Sequence, residues 1–514
     1  MTHASVEALF EQPFATLPEL IRAQALARPS HIALIDPAGQ FTYQQADAAM
    51  DRIAAALQLD GFQPNDVAAI CATTSIPYAL VFLAVLRAGG TVAPLAPSAT
   101  PESLAAMVQD CGAHWLFWDG GVAEALAPVT ASLPARRIAL DNSGHGTDFE
   151  TWLAPPGTQP RPVWATPEQA FNIIYSSGTT GQPKGIVQPN SLRWAQFRRI
   201  LYTPDAITLI STPLYSNTTL VSFLPTLANG GTVILLPKFQ AGVFLALAAR
   251  HRATHAMLVP VQYRRLLAHP DFDATDLSAF QMKFCTSAPF AADLKAEILR
   301  RWPGGLVEFY GMTEGGGSCA LAAHEFPHKL ATVGRPMEGH DIRLIDDAGH
   351  EVPEGQAGEI VGRSPAMMNG YHNRPQATRE AEWFSPEGER YIRTGDIGRF
   401  DAEGFLTLID RKKDMIISGG FNIYPSDLEA VLLQHPSIEE AAVFAIPSET
   451  WGETPAAAVV ARPGASVSPE MLRDWANERL GKTQRLAVVH VVDALPRGAI
   501  GKVLKRELRD GLRV

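Results

Sequence analysis

The sequence predicts an α/β protein: a large N-terminal domain of subdomains with mixed and parallel sheets under covering helices, then a smaller α+β C-terminal domain. Three observations carry that expectation. At 514 residues the chain exceeds what one hydrophobic core supports, since cores stop growing near about 250–300 residues. Short apolar runs of strand length alternate with helical patterns, as in parallel sheets covered on both faces. After Ile409 the texture changes, with a dense charge cluster set between two apolar runs.

The first clear element group is a βαβ unit. Residues 67–72 read as a buried strand, Pro77 opens a helix that runs through Leu86, and Gly89-Gly90 stops it before the strand Thr91-Val92-Ala93. The helix is apolar nearly all round, so it belongs between layers rather than on a surface. The weaker Ala/Leu-rich segments of 101–150 read as surface helices and loops. Residues 171–174 form an apolar strand, and 206–212, 231–236 and 256–259 form three more, with a helix starting at Ala241. No fixed-period repeat interrupts this alternation. The cluster Asp410-Arg411-Lys412-Lys413-Asp414 then opens a compact α+β pattern, which sets the expected domains at 1–410 and 411–514.

Composition narrows the class. The formal net charge of -10 disfavours a nucleic-acid or anionic-membrane surface, because both need a basic footprint. Four cysteines, Cys71, Cys111, Cys285 and Cys319, show neither CxxC spacing nor a nearby histidine cluster, so no zinc site or disulfide framework is expected. The most apolar stretch, 78–95, is broken by Arg87, Gly89 and Gly90, too soon for a membrane span. The N-terminal residues lack a signal-peptide pattern. A cytoplasmic enzyme, monomer or homodimer, is the expectation.

The most informative stretch is Tyr175-Ser176-Ser177-Gly178-Thr179-Thr180-Gly181-Gln182-Pro183-Lys184-Gly185, directly after a buried strand. Glycines let backbone N–H groups turn inward, hydroxyls add donors and Lys184 adds charge, which makes an anion cradle suited to phosphate. It lacks the GxxxxGK[ST] order of a Walker A loop. A flexible Gly/Ser turn is the plain alternative, but chance rarely sets so dense a run of small polar residues and a lysine behind a strand.

From this loop onward the chain resembles the acyl-adenylate-forming superfamily: acyl- and aryl-CoA ligases, peptide-synthetase adenylation domains and firefly-type luciferases. It is most like a bacterial acyl- or aryl-CoA ligase. The resemblance continues through Tyr310-Gly311-Met312-Thr313-Glu314, Arg393-Thr394-Gly395-Asp396, the 410–414 cluster with Ser418-Gly419-Gly420-Phe421-Asn422-Ile423-Tyr424-Pro425, and Pro496-Arg497-Gly498-Ala499-Ile500-Gly501-Lys502. It implies an acid activated with ATP to acyl-AMP and pyrophosphate, then transferred to a thiol with release of AMP. ATP, Mg2+ and coenzyme A are the implied cofactors.

The chemistry explains the residue types. A carboxylate is a poor electrophile, so the catalyst must hold two anions together and stabilise the charge of phosphoryl transfer. By resemblance, Ser176, Ser177, Gly178, Thr179, Thr180 and Lys184 hold phosphate, and Thr313 donates to the α-phosphate. Tyr310, with Gly311 and Met312, packs on adenine, along whose edge Ser287-Ala288-Pro289 runs. Glu314 suits Mg2+, a hard cation that takes one or two carboxylates plus phosphates. Asp396 accepts from the ribose hydroxyls with Arg411 beside it, a job similar to that of the acid in dinucleotide sites. Lys502 neutralises repulsion between the carboxylate and the bridging phosphate oxygen.

The resemblance also implies that the small domain is mobile. It turns about a hinge at Lys413, withdraws Lys502 and brings Gly419, Gly420 and Phe421 to the thiol tunnel, with Trp451 facing coenzyme A. Tyr215, Ser216, Asn217, Gly315 and Gly316 are expected at the pocket of a small carboxylic acid. The glycine run 315–317 either makes room for a bulky acid or serves backbone geometry.

Two departures bear on specificity and on the acceptor. Ser216 stands where many family members carry a gating histidine, and with Asn217, Thr218 and Thr219 it suggests a polar substituent on the acid. Gln484 and Leu486 replace the usual lysine and proline of the coenzyme-facing turn. A carrier-protein thiol is therefore the alternative acceptor. An amino-acid substrate is disfavoured, because no aspartate lies near 215–217.

Overall fold

The helix Ile76–Arg87 is held between two sheets, and its ends explain why it starts and stops where it does. Ser75 caps it by accepting the Tyr78 N–H, Pro77 sits in the first turn, and Gly89 turns out of it at φ +82°. Gly90 must lack a side chain, since a Cβ there would stand 2.2 Å from the Phe62 ring. The helix is buried along its whole length, and its core joins Phe117, Phe171 and Ile174 of one sheet to Leu34, Ile210 and Val233 of the other. The expected buried βαβ unit is present, with Val67–Cys71 parallel to Thr91–Pro94.

The computed structural model describes residues 4–134, 136–176, 184–199, 201–418, 421–448, 451–481, 484–498 and 502–512, with backbone alone at Ser176, Phe421, Asn422 and Gly452. Contacts gather the chain into two units. The first comprises Met1–Leu330, Pro336–Asp341 and Gly362–Ile392; the second comprises Ala331–Arg335, Ile342–Val361 and Arg393–Val514. The expected boundary at 410 falls inside the second unit. There the strand ladder pairs Asp396 with Arg411, and Glu359 binds both Arg393 and Lys412.

In the first unit, one sheet has the order Gly370–Tyr371, Lys184–Pro189, Ala170–Ser176, Thr91–Pro94, Val67–Cys71, Trp115–Trp118, Arg136–Ala139, Thr147–Asp148. It is antiparallel at the Lys184 edge and parallel beyond it. The other sheet runs Ser318–Ala322, Gly305–Gly311, Met282–Cys285, His255–Leu258, Ile207–Ile210, Thr232–Leu235, Ile32–Asp36, Gly39–Thr42, parallel except at its ends. The reading of 101–150 as surface elements is corrected here. Trp115–Trp118 is a buried strand beside Val67–Cys71, as four consecutive apolar residues rich in aromatics should be when covered on both faces.

The second unit carries an α+β layer near its C-terminal end. Its sheet has the order Phe421–Ile423, Ile416–Ser418, Gly452–Ala461, Ile438–Ser448, with Val488–Val491 parallel to Gly452–Ala461. Helices Pro425–Leu433 and Pro469–Asn477 bury Leu428, Leu432, Leu472 and Ala476 in one core with Val443 and Val459. All four cysteines are buried free thiols, and no helix among the described residues is long and apolar enough to cross a membrane.

Candidate active site

The segment expected to hold phosphate follows one strand of the first unit and precedes the next. Ser176 and Lys184 face each other in the antiparallel ladder between Ala170–Ser176 and Lys184–Pro189, so the loop's two ends are pinned side by side. Ser177, Gly178, Thr179 and Thr180 lie outside the described residues. The Lys184 ammonium stands 5.2 Å from the centre of the Tyr371 ring. Tyr371 pairs with Ile186 on the next strand, and its hydroxyl donates to Glu314 Oε1 at 2.8 Å. Burial and the Glu314 charge raise the Tyr371 pKa, so the phenol stays a donor.

Glu314 ends the segment that continues the strand Gly305–Gly311. Its carbonyl accepts the Met368 N–H at 2.8 Å, and the Thr313 carbonyl accepts from Gln188 Nε2 at 2.6 Å. Among the described residues Glu314 Oε2 has no hydrogen-bond partner, and no cluster of three metal-ligating side chains is present. One carboxylate with an open oxygen, joined through Tyr371 to the neighbourhood of Lys184, fits Mg2+, which completes its shell from phosphates and water. The space above the glycine run is filled: a Cβ on Gly315 would meet the Ala366 carbonyl at 1.8 Å, and one on Gly316 the Ile392 side chain at 2.4 Å. Gly315 also adopts φ +75°, so backbone geometry and close packing account for both glycines.

Ser287 opens the segment Ser287-Ala288-Pro289 after the strand Met282–Cys285 and holds φ +83°, a left-handed conformation that costs energy for serine. Its hydroxyl hydrogen bonds to that of Thr218. The polar residues after Tyr215 are engaged within the fold. Ser216 caps the helix Asn217–Ala228, Asn217 accepts from Arg193 at 3.0 Å, and Thr219 bonds Thr212 and the Pro213 carbonyl.

The second unit assembles the other set. Asp396 lies on the strand Arg390–Phe400 directly opposite Arg411, and the Arg411 guanidinium binds its carboxylate at 2.9 Å. The turn before it is fixed: Gly395 has φ +69°, Thr394 donates to the Ile360 carbonyl at 2.9 Å, and Thr394 Oγ1 accepts the Asp396 N–H at 3.0 Å. Lys502 precedes the helix Lys505–Gly511 and is held by a bond from the Gly498 N–H to its carbonyl at 2.9 Å. Its ammonium sits in the field of Arg411, Lys413, Asp396 and Asp414. Burial, helped by the Arg411 and Lys413 charges, pushes its pKa down to about 8. Lys413 is likewise lowered by burial and by Arg411.

Thus Asp396, Arg411, Lys413 and Lys502 converge within one unit, as Lys184, Thr313 and Glu314 do in the other. Gly419 and Gly420 lie outside the described residues; Phe421 pairs with Ser418. Trp451 is exposed, and its backbone N–H donates to Ser448 Oγ at 3.2 Å. Tyr371, which bonds Glu314, and Gln188, which bonds the Thr313 carbonyl, are neighbours of the candidate residues that motif reading misses.

The chain matches the family model described as AMP-binding enzyme over residues 21–372, and that of the AMP-binding enzyme C-terminal domain over 427–502. It is 33% identical to a feruloyl-CoA synthase of Amycolatopsis sp, covering 91% of this chain and 93% of that protein. It is 32% identical to the indoleacetate–CoA ligase of Aromatoleum aromaticum (96% and 97% covered) and 30% identical to the fatty acid–[acyl-carrier-protein] ligase ScoC of Streptomyces coeruleorubidus (98% of each). Among solved structures it is similar to ATP-bound MatB from Rhodopseudomonas palustris, at TM-score 0.86 and 28% identity over 97% of this chain and 99% of that one. The amide bond synthetase McbA from Marinactinospora thermotolerans is similar too, at TM-score 0.85 and 29% identity over 96% and 99%.

Proposed function

The chain belongs to the family of AMP-binding enzymes, and from that premise we propose that it is an AMP-forming carboxylate–CoA ligase. In the first half-reaction a carboxylate oxygen attacks the α-phosphorus of ATP, the bond to the bridging oxygen breaks, and pyrophosphate leaves acyl-AMP behind. In the second, the thiol attacks the acyl carbon, AMP departs and the thiol proton passes to solvent. The observation that carries this reading is the convergence of Lys502, from the C-terminal end of the chain, on the Asp396–Arg411 pair. A protein that only bound nucleotide would have no use for a partly buried ammonium there.

The proposed roles are these. Lys184 and Thr313 hold phosphate oxygens, and Glu314, oriented by Tyr371, takes Mg2+ when the nucleotide brings it. That ion supplies charge neutralisation on the phosphates. Arg411 fixes the Asp396 carboxylate for the ribose hydroxyls, and Lys502 bridges the reacting carboxylate and phosphate. The segment after 410 turns about Lys413 between the half-reactions, and the enzyme works in the cytoplasm. The acid is aromatic or fatty, as in the names of the relatives above.

A carrier-protein thiol is the second reading for the acceptor. It is favoured by Leu486, which is buried in the C-terminal core and whose backbone is bonded to the Asn477 amide, in place of the proline of a coenzyme-facing turn. Ferulate, indole-3-acetate and palmitate are the acids to assay for AMP and pyrophosphate release, with coenzyme A or with a pantetheinylated carrier protein. Acid-dependent pyrophosphate release, and thioester formed on coenzyme A, is the expected result. Release of neither product with any acid contradicts the reading.

A further inference from the structure

Positions 172 and 188 face each other across the ladder of two interior strands, where apolar side chains are usual. Here they are Asn172 and Gln188, 0% and 1% exposed, joined amide to amide at 2.9 Å. Their partner explains them. Arg193, on the helix Asn190–Phe197 and also 0% exposed, donates to Asn172 Oδ1 through Nε at 3.2 Å and Nη2 at 2.9 Å, and to Gln188 Oε1. Nη2 also donates to Asn217 Oδ1 at 3.0 Å, and Nη1 to Gln196 Oε1 at 3.0 Å. Phe171 covers one face, its ring centre 5.6 Å from the guanidinium carbon.

Every acceptor in this set is a neutral amide. Among the described residues no carboxylate pairs with Arg193, and burial alone pushes its pKa down to about 9. The same unit treats another buried arginine differently: Arg87 is paired with both Asp47 and Asp51. A buried charge with no countercharge carries a large desolvation penalty. The network ends where anions are expected. Asn217 begins the helix Asn217–Ala228, whose N-terminus adds the positive end of a dipole, and Gln188 holds the Thr313 carbonyl.

We propose that Arg193 is a positioning residue whose countercharge is the carboxylate of the bound acid, acting through Asn217 and Gln188 without touching it. The inference rests on the adenylation reading and adds the element that draws the acid, as an anion, into a site already crowded with phosphate. The interaction is worth on the order of tenfold in affinity, as for unit charges several ångströms apart in a partly polar interior.

Gln196 supplies the test, because its Nε2 has no partner among the described residues and Gln196→Glu is nearly isosteric. The substitution puts a carboxylate on Arg193 from the far side. Thermal stability should hold or rise, while KM for whichever of ferulate, indole-3-acetate or palmitate supports pyrophosphate exchange should rise on the order of tenfold. Inhibition by the primary amide of the same acid should change less than about twofold, since it carries no charge. Arg193→Lys, which keeps the charge, should keep the preference for acid over amide. Equal weakening of acid and amide, or an unchanged KM in Gln196→Glu, overturns the proposal. Wild-type protein that exchanges pyrophosphate with none of the acids removes the adenylation reading and this inference with it, whereas exchange with an unaltered variant removes the inference alone.

Discussion

In the proposed mechanism Lys502 is the residue on which the chemistry turns, and its environment sets a measurable pH limit. The ammonium faces Arg411 and Lys413 as well as Asp396 and Asp414, and burial outweighs the two carboxylates, leaving a pKa of about 8. Adenylation needs the charged form, so kcat/KM for pyrophosphate exchange should fall as pH rises through about 8. Bound ATP adds negative charge and raises that pKa, so the fall in kcat should come at higher pH. Lys502→Arg, whose guanidinium stays charged, should lack this limb whatever its rate; the same limb in that variant assigns it elsewhere. Motif order alone singled out Lys502, Asp396 and Glu314 as candidates, because each lies inside a dense local pattern. Tyr371 and Arg193 were not legible. Their roles arise from strand register, Tyr371 against Ile186 and Asn172 against Gln188, which no local spacing encodes.

Among the elements, the helix Ile76–Arg87 was the most readable, since Pro77, the apolar run and Gly89-Gly90 state its start, burial and end. Its packing yields a stability prediction. Phe82 is 1% exposed and lies 6.0 Å from Phe171 between ring centres. Phe82→Ala should cost about 3–5 kcal/mol through lost burial and a residual cavity. Leu59→Ala, at a position 76% exposed, should stay within about 0.5 kcal/mol. Denaturant midpoints of the two variants check this, and equal shifts would contradict the sandwiched placement. The strand Trp115–Trp118 was the least readable element. Four apolar residues fit a helix turn as well as a strand, and only pairing with Val67–Cys71 decides between them.

For the whole molecule, the charge cluster at 410–414 marked a change of texture but not the limit of the contact unit. The ladder from Asp396 to Arg411 and the Glu359 ion pairs tie earlier segments to the C-terminal part, and such long-range pairing leaves no local signature. The groups proposed to react belong to different units: Lys184, Thr313 and Glu314 to the first, Asp396, Arg411 and Lys502 to the second. The central claim is that acid activation needs Lys502 and thiol transfer does not. The most direct measurement compares the two half-reactions in Lys502→Ala. Acid-dependent pyrophosphate exchange should fall by at least about a hundredfold, as for loss of a preorganised charge at a reacting centre, while supplied acyl-adenylate still becomes thioester at close to the wild-type rate. Equal loss of both half-reactions would contradict the account.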